Sequence, residues 1–218
     1  EGIAITDAYL SAKKDTCVYV LTRQAGEEMF RKPEKGDFRL TDTEIISIRA
    51  CARYYEKMIL VINIGGYIDL TSVEVIPFDA VVLFGQQGQE GGNALGDIFS
   101  GKVTPSGHLA SSWPRSYSDV PFGDQFSTLN DNTDEEEYRE GIYVGYRYYD
   151  SFGVVPRYPF GYGLSYTEFD RKAIVSAEGA DVTVHVAATN TGKAPGKDVV
   201  QVYVSQPNGK LDKPYQAL

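Results

Sequence analysis

The chain has 218 residues, 42% of them hydrophobic, enough for one sizeable core or two modest ones. Its formal net charge of -9 at pH 7 repels phosphate backbones and anionic lipid surfaces, so neither nucleic acid nor a membrane is an expected partner. A neutral substrate such as a sugar is compatible with that surface.

No apolar run approaches the roughly 20 residues that a membrane helix needs. The first residues, EGIAITDAYL, do not read as a signal peptide, although such a segment could lie upstream or have been removed. The compartment stays open on this reading, with a cytoplasmic location placed ahead of a secreted or periplasmic one. Oligomeric state is not readable. The two cysteines, Cys17 and Cys51, are expected as free buried thiols, because a disulfide framework does not suit a chain of this size. Neither His108 nor His185 stands near a cysteine, so no metal site is expected.

In chain order, residues 3–13 can form a short helix. Residues 16–22 (TCVYVLT) make an apolar, β-branched run of the kind found in a buried parallel strand. A long polar stretch, RQAGEEMFRKPEKGDFR, follows. Thr41 and Glu44 then form a capping box ahead of a helix reaching to about Lys57, with Ile45, Ile48, Ala52 and Tyr55 on one face. Further strands are expected at 58–64 (MILVINI) and 80–85 (AVVLFG), and a helix at 92–100 that Gly101 ends. Alternating buried strands and helices imply an α/β layered sandwich with a mostly parallel sheet. No GxGxxG or P-loop pattern follows any strand, so no nucleotide cofactor is expected, and a flavodoxin-like nucleotide binder is disfavoured.

Residues 103–165 are rich in proline and glycine, and half of the 16 tyrosines fall between residues 138 and 166. Tyrosines carry large buried area, so this reads as a packed irregular connector. The acidic run 134–137 reads as a solvated loop. From about Thr167 the pattern becomes all-β. Residues 181–189 alternate strictly, 190–192 turn the chain, and 198–205 read as a strand able to pair with 181–189. This is the start of an immunoglobulin-like segment with too few residues for a full sandwich. The expected divisions are 1–113 for the α/β unit, incomplete at its N-terminus, 114–165 for the connector, and 166–218 for the partial all-β unit.

Ligands in open parallel sheets bind beyond the carboxyl ends of the strands. Three loops qualify here, after residues 22, 64 and 85. The first is the longest and most charged, and long polar loops in compact domains are usually functional. Its acidic candidates are Glu27 and Glu28; the third loop offers Glu90. An isolated loop glutamate is ordinarily structural, so position alone does not choose among them.

Four segments carry a resemblance that does choose. They are RQAGEEMFRKPEKGDFRLTDTE; GQEGGNALGDIFSGKVTPSGHL with the SSWP of 111–114; YREGIYVGYRYYD; and PFGYGLSYTEF leading into TNTGKAPGKDVVQVYV. In order and spacing the chain resembles the C-terminal part of family 3 glycoside hydrolases, the β-glucosidase and β-xylosidase type. The resemblance implies an α/β sandwich followed by a partial fibronectin type III-like domain. It also implies a barrel domain elsewhere in the full-length enzyme as a partner, supplying an aspartate nucleophile that this chain lacks. The implied substrate is a β-linked oligosaccharide or an aryl or alkyl β-glycoside.

The family's acid/base motif reads Gly-Glu-Gly-Tyr-Asp-Arg, followed by Lys-Pro and Gly-Asp-Phe. Here it corresponds to Gly26, Glu27, Glu28, Met29, Phe30 and Arg31, with Lys32-Pro33 and Gly36-Asp37-Phe38 following. By resemblance Glu27 is the general acid/base. The match departs at Glu28, Met29 and Phe30, and the adjacent glutamate makes Glu28 the second choice. The rival reading is a catalytically silent carbohydrate-binding or interaction module of the same fold. Trp113 is read as a core residue ahead of a sugar-stacking one, and Asp69 as structural. The GQEGG glycines are read as a tight strand-to-helix turn, and Glu90 as the cap of the following helix. The tyrosines of 138–149 are read as glue between domains, with Arg139 and Arg147 paired to acids.

Overall fold

The computed structural model describes residues 3–10, 14–24, 32–125, 132, 134–207 and 209–218. Three parallel strands form its main sheet in the order β1 (Lys14–Thr22), β2 (Tyr55–Asn63), β3 (Ala80–Leu83). Helix α1 (Asp42–Tyr54) crosses from β1 to β2, as a parallel pair requires. Register runs Val18↔Ile59 and Val20↔Val61 on one side, Ile59↔Ala80 and Val61↔Val82 on the other. The core lies on the face covered by α1, where Leu21, Ile48, Leu60, Ile62, Ile64, Ile68, Leu70 and Val73 are buried together. Each such side chain contributes about 1.5–3 kcal/mol of burial.

Helix α1 begins where the capping box predicts. The Glu44 N–H donates to Thr41 Oγ1 (3.1 Å), and the Thr41 N–H donates to a Glu44 carboxylate oxygen (2.8 Å). It ends at Tyr54 instead of Lys57, because Tyr55 already pairs in register with Lys14 of β1. The expected helix over 3–13 is reduced to a single 3-10 turn at Asp7–Tyr9, with residues 11–13 outside the described set. The Ile5 N–H donates to Ser47 Oγ, and Arg53 pairs with Asp7, which fastens this segment onto α1.

β3 leads through a glycine-containing turn into α2 (Gly91–Phe99). Gly85 and Gly88 both have φ of +67°, and a Cβ on Gly91 would stand 2.9 Å from the Phe84 ring. The glycines therefore serve the turn itself. α2 ends as expected before Gly101, whose φ is +73°. The connector contains a helix that its composition hid, α3 (Tyr146–Phe152), punctuated by Gly145 and by Gly153 in the left-handed conformation.

The all-β segment is an antiparallel hairpin of β4 (Phe169–Glu178) and β5 (Asp181–Asn190). The pairing expected between 181–189 and 198–205 is not formed. Residues 198–205 make one isolated β-bridge, Val204↔Ala217, and are held otherwise by side chains, with Asp198 paired to Arg171 of β4 and the Tyr203 ring against Tyr146. β4 and β5 are closed by only two residues, with Gly179 at φ +62°, and so short a loop costs least entropy to close. Among the described residues no third strand joins this hairpin, and Ile174, Val175 and Val182 remain exposed on it.

Both cysteines are free, Cys51 buried on α1 and Cys17 only partly so on β1, less buried than expected. Burial, and then the neighbouring Cys51, push the Cys17 thiol up to about 11. Only the thiolate alkylates. At pH 8 the native protein should therefore react with iodoacetamide at Cys17 roughly a hundredfold more slowly than the unfolded chain. The native rate should rise tenfold per pH unit up to about pH 11. Peptide mass spectrometry after timed quenching measures this, and equal native and unfolded rates would contradict it.

Candidate functional site

The sheet's carboxyl edge is where the site is expected, and the described residues there form a braced base. Arg23 follows β1 directly. Its Nε donates to the Asp37 carbonyl (3.0 Å) and its Nη1 to the Thr22 carbonyl (2.8 Å). Its two Nη atoms make a fork–fork pair with the Glu44 carboxylate at 2.5 and 2.7 Å. The Arg23 side chain is 8% exposed and that of Glu44 19%. Burial would raise the Glu44 carboxyl. The hydrogen bond from Arg23, the N–H of Thr41 and the guanidinium charge outweigh that and hold it below the usual carboxylate range.

The strand-to-helix segment is knitted to the same base. The Lys32 N–H donates to an Asp37 carboxylate oxygen at 2.5 Å, and the Phe38 N–H to the Lys32 carbonyl at 3.2 Å. Gly36, at φ +89°, allows the turn that lets its N–H reach the Arg39 carbonyl. Phe38 is 5% exposed and meets the Tyr117 ring edge-on at 5.1 Å. The Asp69 N–H donates to the Phe38 carbonyl, so the loop after β2 is bonded to this turn. Asp69 itself is buried and accepts from the Thr71 N–H and hydroxyl, the structural role expected for it.

Glu27 and Glu28 lie outside the described residues, within the stretch 25–31 that the Arg23–Asp37–Lys32 bonds bracket. Glu90 is described. It occupies the N-cap position of α2 but makes no side-chain capping bond, and accepts instead from the Asn93 side chain at 2.6 Å. Among the described residues no three His, Cys, Asp or Glu side chains gather as metal ligands, and no helix is long and apolar enough to cross a membrane.

Trp113 is 2% exposed. Its indole N–H donates to the Ile68 carbonyl (3.2 Å), and its ring meets Tyr158 edge-on at 5.6 Å and Tyr67 at 6.0 Å. It is a core residue joining the α/β layer to the connector. Arg139 pairs with Glu137, whereas Arg147 stacks over the Tyr146 ring at 5.7 Å. The tyrosines of the connector form a chain of ring contacts that includes Tyr143–Phe152, Tyr146–Phe160 and Tyr158–Tyr162. The Arg23–Glu44 clamp escaped the sequence reading, which saw Glu44 only as a helix cap. Its one local signal is an arginine placed directly after a buried strand.

A parallel α/β layer with the Arg23–Glu44 pair at its carboxyl edge, followed by an antiparallel hairpin, is a fold of the class in which ligands generally bind beyond that edge. The glycosyl hydrolase family 3 C-terminal domain matches residues 5–146. A β-glucosidase of Ruminococcus albus is 37% identical over 209 residues, covering 94% of this chain and 21% of that protein. β-Glucosidase 3B of Thermotoga neapolitana, solved with glucose, aligns with a TM-score of 0.87 at 44% identity, over 93% of this chain and 29% of that one. A β-glucosidase of Paenibacillus barengoltzii aligns with a TM-score of 0.90 at 33% identity, over 100% and 24%. The chain belongs to glycosyl hydrolase family 3, of which it represents the C-terminal domain. It spans less than a third of the length of these relatives.

Proposed function

We propose that the protein to which this chain belongs is a retaining, exo-acting β-glycosidase of β-glucosidase type. It removes terminal β-linked sugars from oligosaccharides or aryl and alkyl β-glycosides. This chain supplies the general acid/base, Glu27, with Glu28 as the second choice, and a separate barrel domain supplies the nucleophile. The same reading divides the chain into an α/β unit over 1–113, a connector over 114–165 and a partial fibronectin type III-like unit over 166–218. The observation that carries the proposal is the GEE sequence of residues 26–28, which follows β1 in a chain whose relatives include β-glucosidases.

The chemistry requires a proton on the departing oxygen, and a positioned carboxylic acid provides it at a gain of roughly 10² to 10⁴ in rate. In a retaining reaction the same carboxylate then takes a proton from water, standing about 5 to 5.5 Å from the nucleophile. On that geometry the two carboxyl groups meet only when the two domains dock. The full-length protein should therefore hydrolyse a nitrophenyl β-glycoside, and this chain purified alone should give no turnover. Turnover by the isolated chain would overturn the two-domain assignment. A full-length protein inactive on a panel of aryl β-glycosides would favour a silent carbohydrate-binding module.

A further inference from the structure

Successive side chains of a strand point to opposite faces. Val18 and Val20 of β1 are exposed, so Cys17, Tyr19 and Leu21 turn the other way, where Leu21 joins the buried cluster that holds Ile48 of α1. α1 buries Ser47 and Cys51, which are four positions apart and share one face. Strand and helix run in opposite directions. Arg23, beyond Tyr19 on β1, meets Glu44, before Ser47 on α1, and the Tyr19 hydroxyl meets the Ser47 side chain. Two residues back along β1 from Tyr19 cover about 6.6 Å, and four residues onward along α1 from Ser47 cover about 6.0 Å. The two steps end at Cys17 and Cys51, whose thiols are hydrogen-bonded to each other. The backbone fixes the same place, since the Cys51 carbonyl accepts from the Tyr55 N–H and Tyr55 pairs in register with Lys14. We propose that Cys17 and Cys51 are a site of reversible disulfide modification that staples β1 to α1, with a hydroperoxide as the oxidant.

Exposure sets the order of events. Cys17 is partly exposed and Cys51 is buried, so a peroxide from solvent reaches Cys17 first. The Cys17 thiolate attacks one peroxide oxygen, the O–O bond breaks, and the hydroxide released takes up a proton and leaves as water. Cys17 is then a sulfenic acid. The Cys51 sulfur attacks it, the S–S bond forms, the S–O bond breaks, and a second water carries away the Cys51 proton. The two thiols lose two protons and two electrons, and the peroxide is reduced to two waters. Burial keeps the Cys17 thiol largely protonated, so the first step is slow at neutral pH. The second step joins groups already in contact and is fast, so the sulfenic acid does not accumulate. A dithiol reductant reverses the bond by exchange.

The test treats the full-length protein with hydrogen peroxide at pH 8, alkylates it in denaturant with N-ethylmaleimide, and digests it with trypsin without reduction. Peptide 15–23 (DTCVYVLTR) should appear joined to peptide 50–53 (ACAR), lighter than their sum by two hydrogens, and dithiothreitol should separate them. Cys51→Ser removes the second step, so dimedone should label Cys17 at least about tenfold more than in the unchanged protein. Oxidation should slow amide exchange across 14–22 and 42–54 at least about tenfold, because the loop between β1 and α1 is then closed covalently. Absence of the joined peptide, with Cys51 still open to N-ethylmaleimide, would overturn the site. A joined peptide with unchanged exchange would overturn the staple.

Discussion

Glu27→Ala in the full-length enzyme is expected to lose disaccharide cleavage by about 10² to 10⁴ while still reacting with an activated aryl glycoside. A sugar alkoxide is a poor leaving group and departs only as it is protonated, so removing the proposed acid acts fully on that substrate. A dinitrophenolate departs unaided, so the covalent glycosyl-enzyme should still form. Its hydrolysis needs a base to deprotonate water, and that base is the same missing carboxylate. The time course should show a burst followed by a low steady rate. Azide attacks without deprotonation, so it should restore turnover and yield the β-glycosyl azide with retained configuration. Glu28→Ala should do much less. Equal losses on all leaving groups, with no response to azide, would remove Glu27 from the role and make Glu28 the next candidate.

Trp113→Ala should destabilise the fold by about 3–5 kcal/mol, the range for removing a large buried aromatic. The indole lies in the core cluster, touches Tyr67 and Tyr158, and spends its N–H on the Ile68 carbonyl. Its backbone bridges to Tyr158 as well, with the Trp113 N–H to the Tyr158 carbonyl at 2.8 Å and the Arg157 N–H to the Trp113 carbonyl at 2.8 Å. The loss should therefore loosen the connector from the α/β layer in addition to opening a cavity. Trp113→Phe keeps the ring contacts in part and forfeits the N–H bond, so a smaller cost is expected, of which about 1 kcal/mol belongs to the hydrogen bond. Since the chain has one tryptophan, the unfolding of Trp113→Ala must be followed by circular dichroism in place of intrinsic fluorescence. A loss below about 1 kcal/mol would show that the site is less tightly packed than its burial indicates.

Local chemistry was legible without the structure. The runs at 16–22, 58–64 and 80–85 marked the parallel strands by their apolar, β-branched residues, but of the three only β2 is largely buried; Val18 and Val20 of β1 and Leu83 of β3 are exposed, so the expectation of buried strands holds for β2 alone. Thr41 and Glu44 marked the start of α1, and Gly101 the end of α2, because helix termini have backbone groups that particular side chains and glycines satisfy. The family was legible in the order and spacing of four segments, of which YREGIYVGYRYYD and PFGYGLSYTEF are rich in tyrosine and glycine.

What depended on partners distant in sequence was decided only by the tertiary structure. α1 stops at Tyr54 because β1 claims Tyr55 for the sheet. α3 was obscured by a composition dominated by tyrosine and glycine. β5 pairs with β4 across a two-residue turn, a closure of low entropic cost, while residues 198–205 do not join its other edge. Arg23 and Glu44 are 21 positions apart, and Trp113 and Ile68 are 45 apart. Side-chain periodicity reports only which face of an element is buried. Which residue lies across from it is set by how the layers pack, and the Arg23–Glu44 clamp exists only once they have packed.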